Sequence, residues 1–200
     1  MNPVELLLKT SSKTSPGKPP GYSAAHVLYA LILLSEGAMG RKRLSEALEL
    51  GEGSTRTLLE RLASTSLIQV SRRGVELSSL GREVLAGLGE RLRFAKAPPT
   101  GVTVDEANWA VLVRGAAGKV RLGVEQRDQA LLHGATGATT LIYRGGGWVI
   151  PGLEQEPEGP LSALLLELGP EEGDVVIIGS SDSLVSAAVG ALAAAIDLLS

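Results

Sequence analysis

The residues of this 200-residue chain whose types and spacing could do chemistry are cations and hydroxyls, not nucleophiles or metal ligands. There is no cysteine, which removes disulfides, thiolate metal sites and a cysteine nucleophile. The two histidines, His26 and His133, have no second ligand at helical or hairpin spacing. No nucleophile elbow and no phosphate loop of adequate specificity is present, so no cofactor and no catalytic residue is expected. A non-enzymatic protein is the first reading, and an enzyme or anion-binding domain in the C-terminal half is the alternative. What remains is a concentration of cations and hydroxyls within residues 41–80: Arg41, Lys42 and Arg43, then Ser54, Thr55, Arg56, Thr57 and Arg61, then Arg72 and Arg73. Hydroxyls donate to phosphates, arginine pairs with phosphates and guanine edges, and lysine meets phosphate as a point charge.

The elements that must position these residues read as helix, turn, helix and hairpin. Residues 41–50 place Leu44, Ala47 and Leu48 on one face, and Gly51-Glu52-Gly53 makes the turn. Periodicity restarts behind Ser54, whose hydroxyl can cap a new helix. Leu58, Leu59 and Leu62 then lie inward while Ser54, Arg56, Thr57, Glu60 and Arg61 face outward. Residues 68–71 and 75–78 alternate apolar and polar as half-exposed strands do, with Gly74 supplying the positive φ of a tight hairpin whose tip is Arg72-Arg73. A helix over 23–36 precedes this block, apolar nearly all round, and a last helix over 79–96 follows it.

The run SEALELGEGSTRTLLERLASTSLIQVSRRGVELSSLGREVL resembles the winged helix-turn-helix of prokaryotic transcription regulators, particularly the MarR and PadR groups. The similarity covers residues 23–96, with one departure: Ser66 stands where such sequences usually turn through glycine. The two-domain layout as a whole is similar to archaeal winged-helix proteins whose C-terminal domain is uncharacterised. The resemblance implies that residues 54–63 enter the major groove of double-stranded DNA, with Arg56 at a guanine edge, Arg61 on the backbone, and Arg72 and Arg73 on phosphates or the minor groove. It also implies a homodimer reading two half-sites. The absence of cysteine and an N-terminal stretch unlike a signal peptide point to the cytoplasm. The alternative for the same surface is a scaffold that binds protein.

The division into domains follows composition. Residues 1–22 read as an arm, of which 1–9 suit one helical turn or two, and a Pro/Gly/Ser-rich tether over 11–21, residues 23–97 as the DNA-binding domain, and 101–200 as an effector or oligomerisation domain behind the breaker Ala97-Pro98-Pro99-Thr100-Gly101. Residues 1–97 carry 14 Lys+Arg against 9 Asp+Glu, a net +5, and residues 98–200 carry 5 against 13, a net -8. A basic half followed by an acidic half suggests different partners.

In the C-terminal half, strands over 108–114, 139–144, 148–151 and 174–179 alternate with helices over 123–134, 161–168 and 183–199. The order βαββαβα fits a ferredoxin-like α+β sandwich with an added helix, so the expected class is α+β throughout. Two places could hold a small-molecule effector: Arg127 and Asp128 on one helix, and Ser180, Ser181, Asp182 and Ser183 between a strand and a helix, where free N–H groups can hold an anion. The ordinary readings are a solvated helix face and an N-cap. The last helix carries an alanine stripe, Ala187, Ala191 and Ala195, suited to close packing in the core or at a dimer seam, and no membrane partner is expected.

Overall fold

The computed structural model describes residues 2–12, 20–153 and 159–200. The chain is of the mixed α+β class and divides into two compact units, Met1–Glu90 and Arg91–Ser200. Most of the expected tether, 11–21, lies outside the described residues.

The first unit is built around α2 (Ala24–Ser35), whose Val27, Leu28, Ala30 and Leu31 are wholly buried. Its start is fixed by Ser23 as N-cap, whose backbone N–H donates to His26 Nδ1 at 3.2 Å, so this histidine completes a capping box. The residues read as an arm form a helix, α1 (Pro3–Ser11), that packs on α2 through buried Val4, Leu6 and Leu7. After α2 come α3 (Arg41–Ala47), α4 (Glu52–Ser64), the hairpin β1 (Ile68–Ser71) and β2 (Gly74–Leu77), and α5 (Ser79–Gly89). Leu44, Leu48, Leu58, Leu62 and Leu67 are fully buried within this unit, which joins the α3–turn–α4 pair and the root of the hairpin to its core.

The hairpin carries a third, one-residue strand. Met39 bridges Val75 with both hydrogen bonds at 2.8 Å, and a Cβ on Gly74, at φ 124°, would lie 2.5 Å from the Met39 carbonyl oxygen. Gly74 is thus required twice, by its backbone angle and by the chain that crosses it. Ser66, expected as a departure from a glycine turn, sits at φ 59° and makes the left-handed turn itself.

The expected last helix over 79–96 ends at Gly89. Residues Leu92–Ala97 form a strand, β3, antiparallel to β4 (Ala107–Val113), and belong to the second unit. Leu92 continued the helical spacing of Leu85 and Leu88, but pairing with β4 decided its conformation. This moves Arg91, Arg93 and Lys96 across the boundary, so the charges become +2 for residues 1–90 and -5 for 91–200. The charge contrast keeps its sign and loses about half its size.

The second unit is one five-stranded antiparallel sheet in the order β3-β4-β7-β5-β6, with β5 (Gly137–Arg144), β6 (Gly147–Val149) and β7 (Val175–Ser181). Helices α6 (Val124–Leu132) and α8 (Leu184–Leu199) lie against one face, which carries Val111 and Ile177. Helix α7 (Pro160–Glu167) puts Leu161 and Leu165 among Ala110, Leu112, Leu141, Val176 and Ile178 on the other. The ferredoxin-like arrangement does not form. It would set the third strand of the series between the first two, whereas β7 takes that place and β6 is left at the edge. Composition gives the reason: β7 is buried along its whole length and needs both faces covered, while β6 is only three residues long. Between β4 and α6 the chain makes a 3-10 turn, Ala117–Lys119, and continues as bends through Leu122.

The alanine stripe of α8 is consumed inside this unit. A Cβ on Gly179 of β7 would lie 2.3 Å from the Ala187 carbonyl oxygen and 3.1 Å from Ala191 Cβ, so the small residues let helix and strand touch. Among the described residues, no helix is long and apolar enough to cross a membrane.

Candidate nucleic-acid interface

Helix α4 begins two residues before the expected Ser54 cap. Gly51, in an extended conformation, is its N-cap, and Glu52 occupies the first turn, where a carboxylate favours the helix dipole. Helical spacing and local hydrogen bonds set the roles of the hydroxyls. Thr55 is fully buried and its Oγ1 donates to the Gly51 carbonyl at 3.1 Å, so it cannot reach a phosphate. Thr57 Oγ1 donates to the Gly53 carbonyl, and Ser54 Oγ lies 2.5 Å from where a Cβ on Gly21 would be. These hydroxyls serve the helix and its packing before any ligand.

Arg61 is likewise engaged. Its Nη1 donates to the Ser12 carbonyl at the end of α1. Nearby, burial pushes the Tyr22 phenol up from its ordinary value while the Arg61 charge draws it back down. This side of α4 is therefore occupied by the N-terminal helix, not left for a partner. Sequence reasoning missed it because α1 reads as a short arm and the contact spans 49 positions.

What α4 exposes is a narrower stripe: Glu52, Gly53, Arg56, Glu60, Ala63 and Ser64. Arg56 is the cation of that stripe, flanked at helical spacing by Glu52 and Glu60. The other expected residues are exposed as anticipated. Arg41, Lys42 and Arg43 open α3, and Arg72 and Arg73 form the two-residue hairpin tip between the paired Ser71 and Gly74. None of these six cations makes a side-chain hydrogen bond or ion pair to any described residue, whereas Arg82 Nη1 donates to the Leu77 carbonyl at 2.9 Å and Arg61 is spent on Ser12.

In the second unit, the stretch 179–183 is a strand end and an N-cap. Ser180 is fully buried, its Oγ donating to Asn108 Oδ1 at 2.6 Å and accepting from the Val104 N–H. Ser181 is 1% exposed and its Oγ donates to Asp182 Oδ1, and Ser183 Oγ accepts from the Val185 and Ser186 N–H groups. The hydroxyls expected to meet an anion are committed to the fold. Arg127 stands differently. It pairs with Asp128 at 3.0 Å, both about half exposed, and it lines a cavity of about 310 Å³ with Gly123, Thr139 and Thr140. Of these, only Arg127 was legible in the sequence.

Comparison with known proteins brings the two units together. Residues 25–83 match the model described as PH0730-like, N-terminal domain, and residues 104–198 match a domain of unknown function, DUF4443. Neither description assigns an enzymatic activity. No curated protein matches the sequence. Among solved structures, the hypothetical protein PH0730 from Pyrococcus horikoshii OT3 is 31% identical with a TM-score of 0.69, over 88% of this chain and 92% of that one. The chain belongs to the PH0730-like family.

Proposed function

We propose that the first unit is a winged helix that binds double-stranded DNA, and that the protein is a homodimeric, non-enzymatic transcription regulator of the cytoplasm. The second unit then serves oligomerisation or effector sensing. The observation that carries this reading is the division of the cations: Arg61 and Arg82 are tied to backbone carbonyls, while Arg56, Arg72, Arg73 and the three at the start of α3 are exposed and unspent. Residues 41–43 are also badly placed for their own helix, because cations oppose the positive end of its dipole. An external polyanion resolves that conflict. The order α2, Met39 bridge, α3, α4, hairpin supports the winged-helix assignment. In this reading α4 offers Arg56 to a base edge and the hairpin tip meets the flanking backbone. Dimerisation is supported by the two half-sites such domains read and by exposed Leu131 and Leu132 on α6.

A scaffold that binds protein is the second reading, favoured by one observation: Val70 is 78% exposed on the hairpin. Fluorescence anisotropy with a random duplex, titrated in salt, separates the two. DNA binding predicts affinity that falls steeply and log-linearly with salt. Absence of any duplex binding at about 10 μM protein and low salt would leave the scaffold reading in its place.

A further inference from the structure

We propose that the cavity at the start of α6 binds a small organic acid, a carboxylate carried on an aliphatic or aromatic body. The inference stands independently of DNA binding, since every group it uses lies in the second unit. The cavity, about 310 Å³, is of the size that encloses a small metabolite. Its lining divides into an apolar side and a polar end. Leu122, Val124 and Leu153 are 63%, 41% and 67% exposed, and all three face the cavity, so three large apolar side chains stand in water where an apolar ligand body would cover them.

The polar end is unsatisfied in three ways. Helix α6 starts at Gly123, at φ 76°, which has no side chain to cap it, and the N–H groups of Val124, Glu125 and Gln126 have no hydrogen-bond partner among the described residues. Thr140 is only 5% exposed, yet its Oγ1 has no partner among the described residues. It lies 3.1 Å from where a Cβ on Gly123 would be, so the hydroxyl sits against the uncapped turn. Arg127 completes the set: Nε and Nη2 are donated to Asp128, and Nη1 is left over. A carboxylate accepts from two or three such donors at once and leaves its apolar body on the leucines.

The distribution of charge agrees. Residues 98–200 contain five cations in a net charge of -8. Arg114 is paired with Asp174, and Lys119 Nζ donates to the Leu198 and Ser200 carbonyls. The other three are Arg127 and the pair Arg121 and Arg144, which line an adjoining cavity of about 400 Å³ that shares Ile150 and Leu153 with the first. Every cation of residues 98–200 not committed to the fold thus lines one of these two cavities. Glu125 and Asp128 stand beside the first and weaken its field, which selects an anion held by direct hydrogen bonds over one attracted from a distance.

The test is a titration of full-length, 15N-labelled protein with isovalerate, phenylacetate and suberate, followed by the amide resonances. At least one acid is expected to give saturable shifts of Val124, Glu125 and Gln126, with the corresponding neutral amide at least about tenfold weaker. Arg127→Gln, a change at a half-exposed side chain, is expected to weaken binding about tenfold with the remaining spectrum unchanged, and Thr140→Val to weaken it several-fold. The proposal is overturned if none of the three acids gives saturable shifts up to about 10 mM, if the neutral amides bind as tightly, or if only inorganic phosphate binds. No duplex is present in this experiment, so its outcome and that of the DNA titration are read separately.

Discussion

The unspent cations of residues 1–90 and those of residues 98–200 are deployed in opposite ways. In the first unit the unspent ones stand on convex ground, at the start of α3, along one stripe of α4 and on a hairpin tip. Within residues 98–200, Arg121, Arg127 and Arg144 line two neighbouring cavities, whereas Arg91, Arg93 and Lys96, on or beside β3, stand exposed outside them. Convex, separated charges suit an extended polyanion that meets several at once, and concave charges beside exposed leucines suit one small anion with an apolar body. The comparison also separates cations that hold the fold from cations that do not, and substitutions can break it at either point.

The largest effect is expected from a cation that is spent. Asp174 is 2% exposed and accepts from Arg114 Nη1 at 2.5 Å and from the N–H groups of Gly115 and Glu171 at 2.9 Å. Arg114→Ala leaves that carboxylate buried with its charge uncompensated and should cost about 3–5 kcal/mol of stability, measured by urea unfolding. Arg72→Ala with Arg73→Ala should leave the unfolding midpoint where it was. If the hairpin pair proves as costly as Arg114, the division between structural and free cations is wrong.

The same double substitution should then weaken binding to a random duplex about 30-fold near physiological salt and lower the salt slope by about 1.8, one phosphate contact for each arginine. An unchanged slope would show that the tip does not touch the backbone. Arg56→Ala comes next and differs in kind. It should lower discrimination at one base pair about tenfold with little change in the slope, read by competition between matched and mismatched duplexes. An equal loss on every sequence would make Arg56 a phosphate contact.

How far such surfaces can be read in advance depends on what sets them. The hairpin, with Gly74 and the tip arginines, is local in sequence and was legible, as were α2 with its serine cap and every strand of the second unit but one. The exception, β3, follows helical spacing through Leu92, and only its pairing with β4 makes it a strand. The same nonlocality hid the site's details. Arg61 reads as outward-facing in the sequence and donates to the Ser12 carbonyl in the fold. The cavity was nearly invisible because most of its donors are backbone N–H groups and its walls come from four separate stretches, 101–102, 122–127, 138–140 and 150–153. Strand order was also beyond local pattern, since the insertion of β7 between β4 and β5 depends on which strand most needs two covered faces. By contrast, Thr55 reads as a phosphate donor by its residue type, but it stands three and seven positions before Leu58 and Leu62 and is buried with them.

The smallest expected effect tests the weakest part of the convex surface. Glu52 and Glu60 share the exposed stripe of α4 with Arg56, so that stripe carries a net negative charge in an interface proposed for a polyanion. Two accounts of these carboxylates make opposite predictions. If they only hold non-specific affinity down, replacing both by glutamine removes repulsion and should tighten binding to every duplex a few-fold, more at low salt than at high. If Glu60 accepts from a cytosine amino group, Glu60→Gln alone should weaken the preferred sequence while strengthening the random one. Either result keeps α4 in the groove. Should both substitutions change neither duplex at any salt, α4 lies away from the DNA, and the affinity belongs to the hairpin tip and the start of α3 alone.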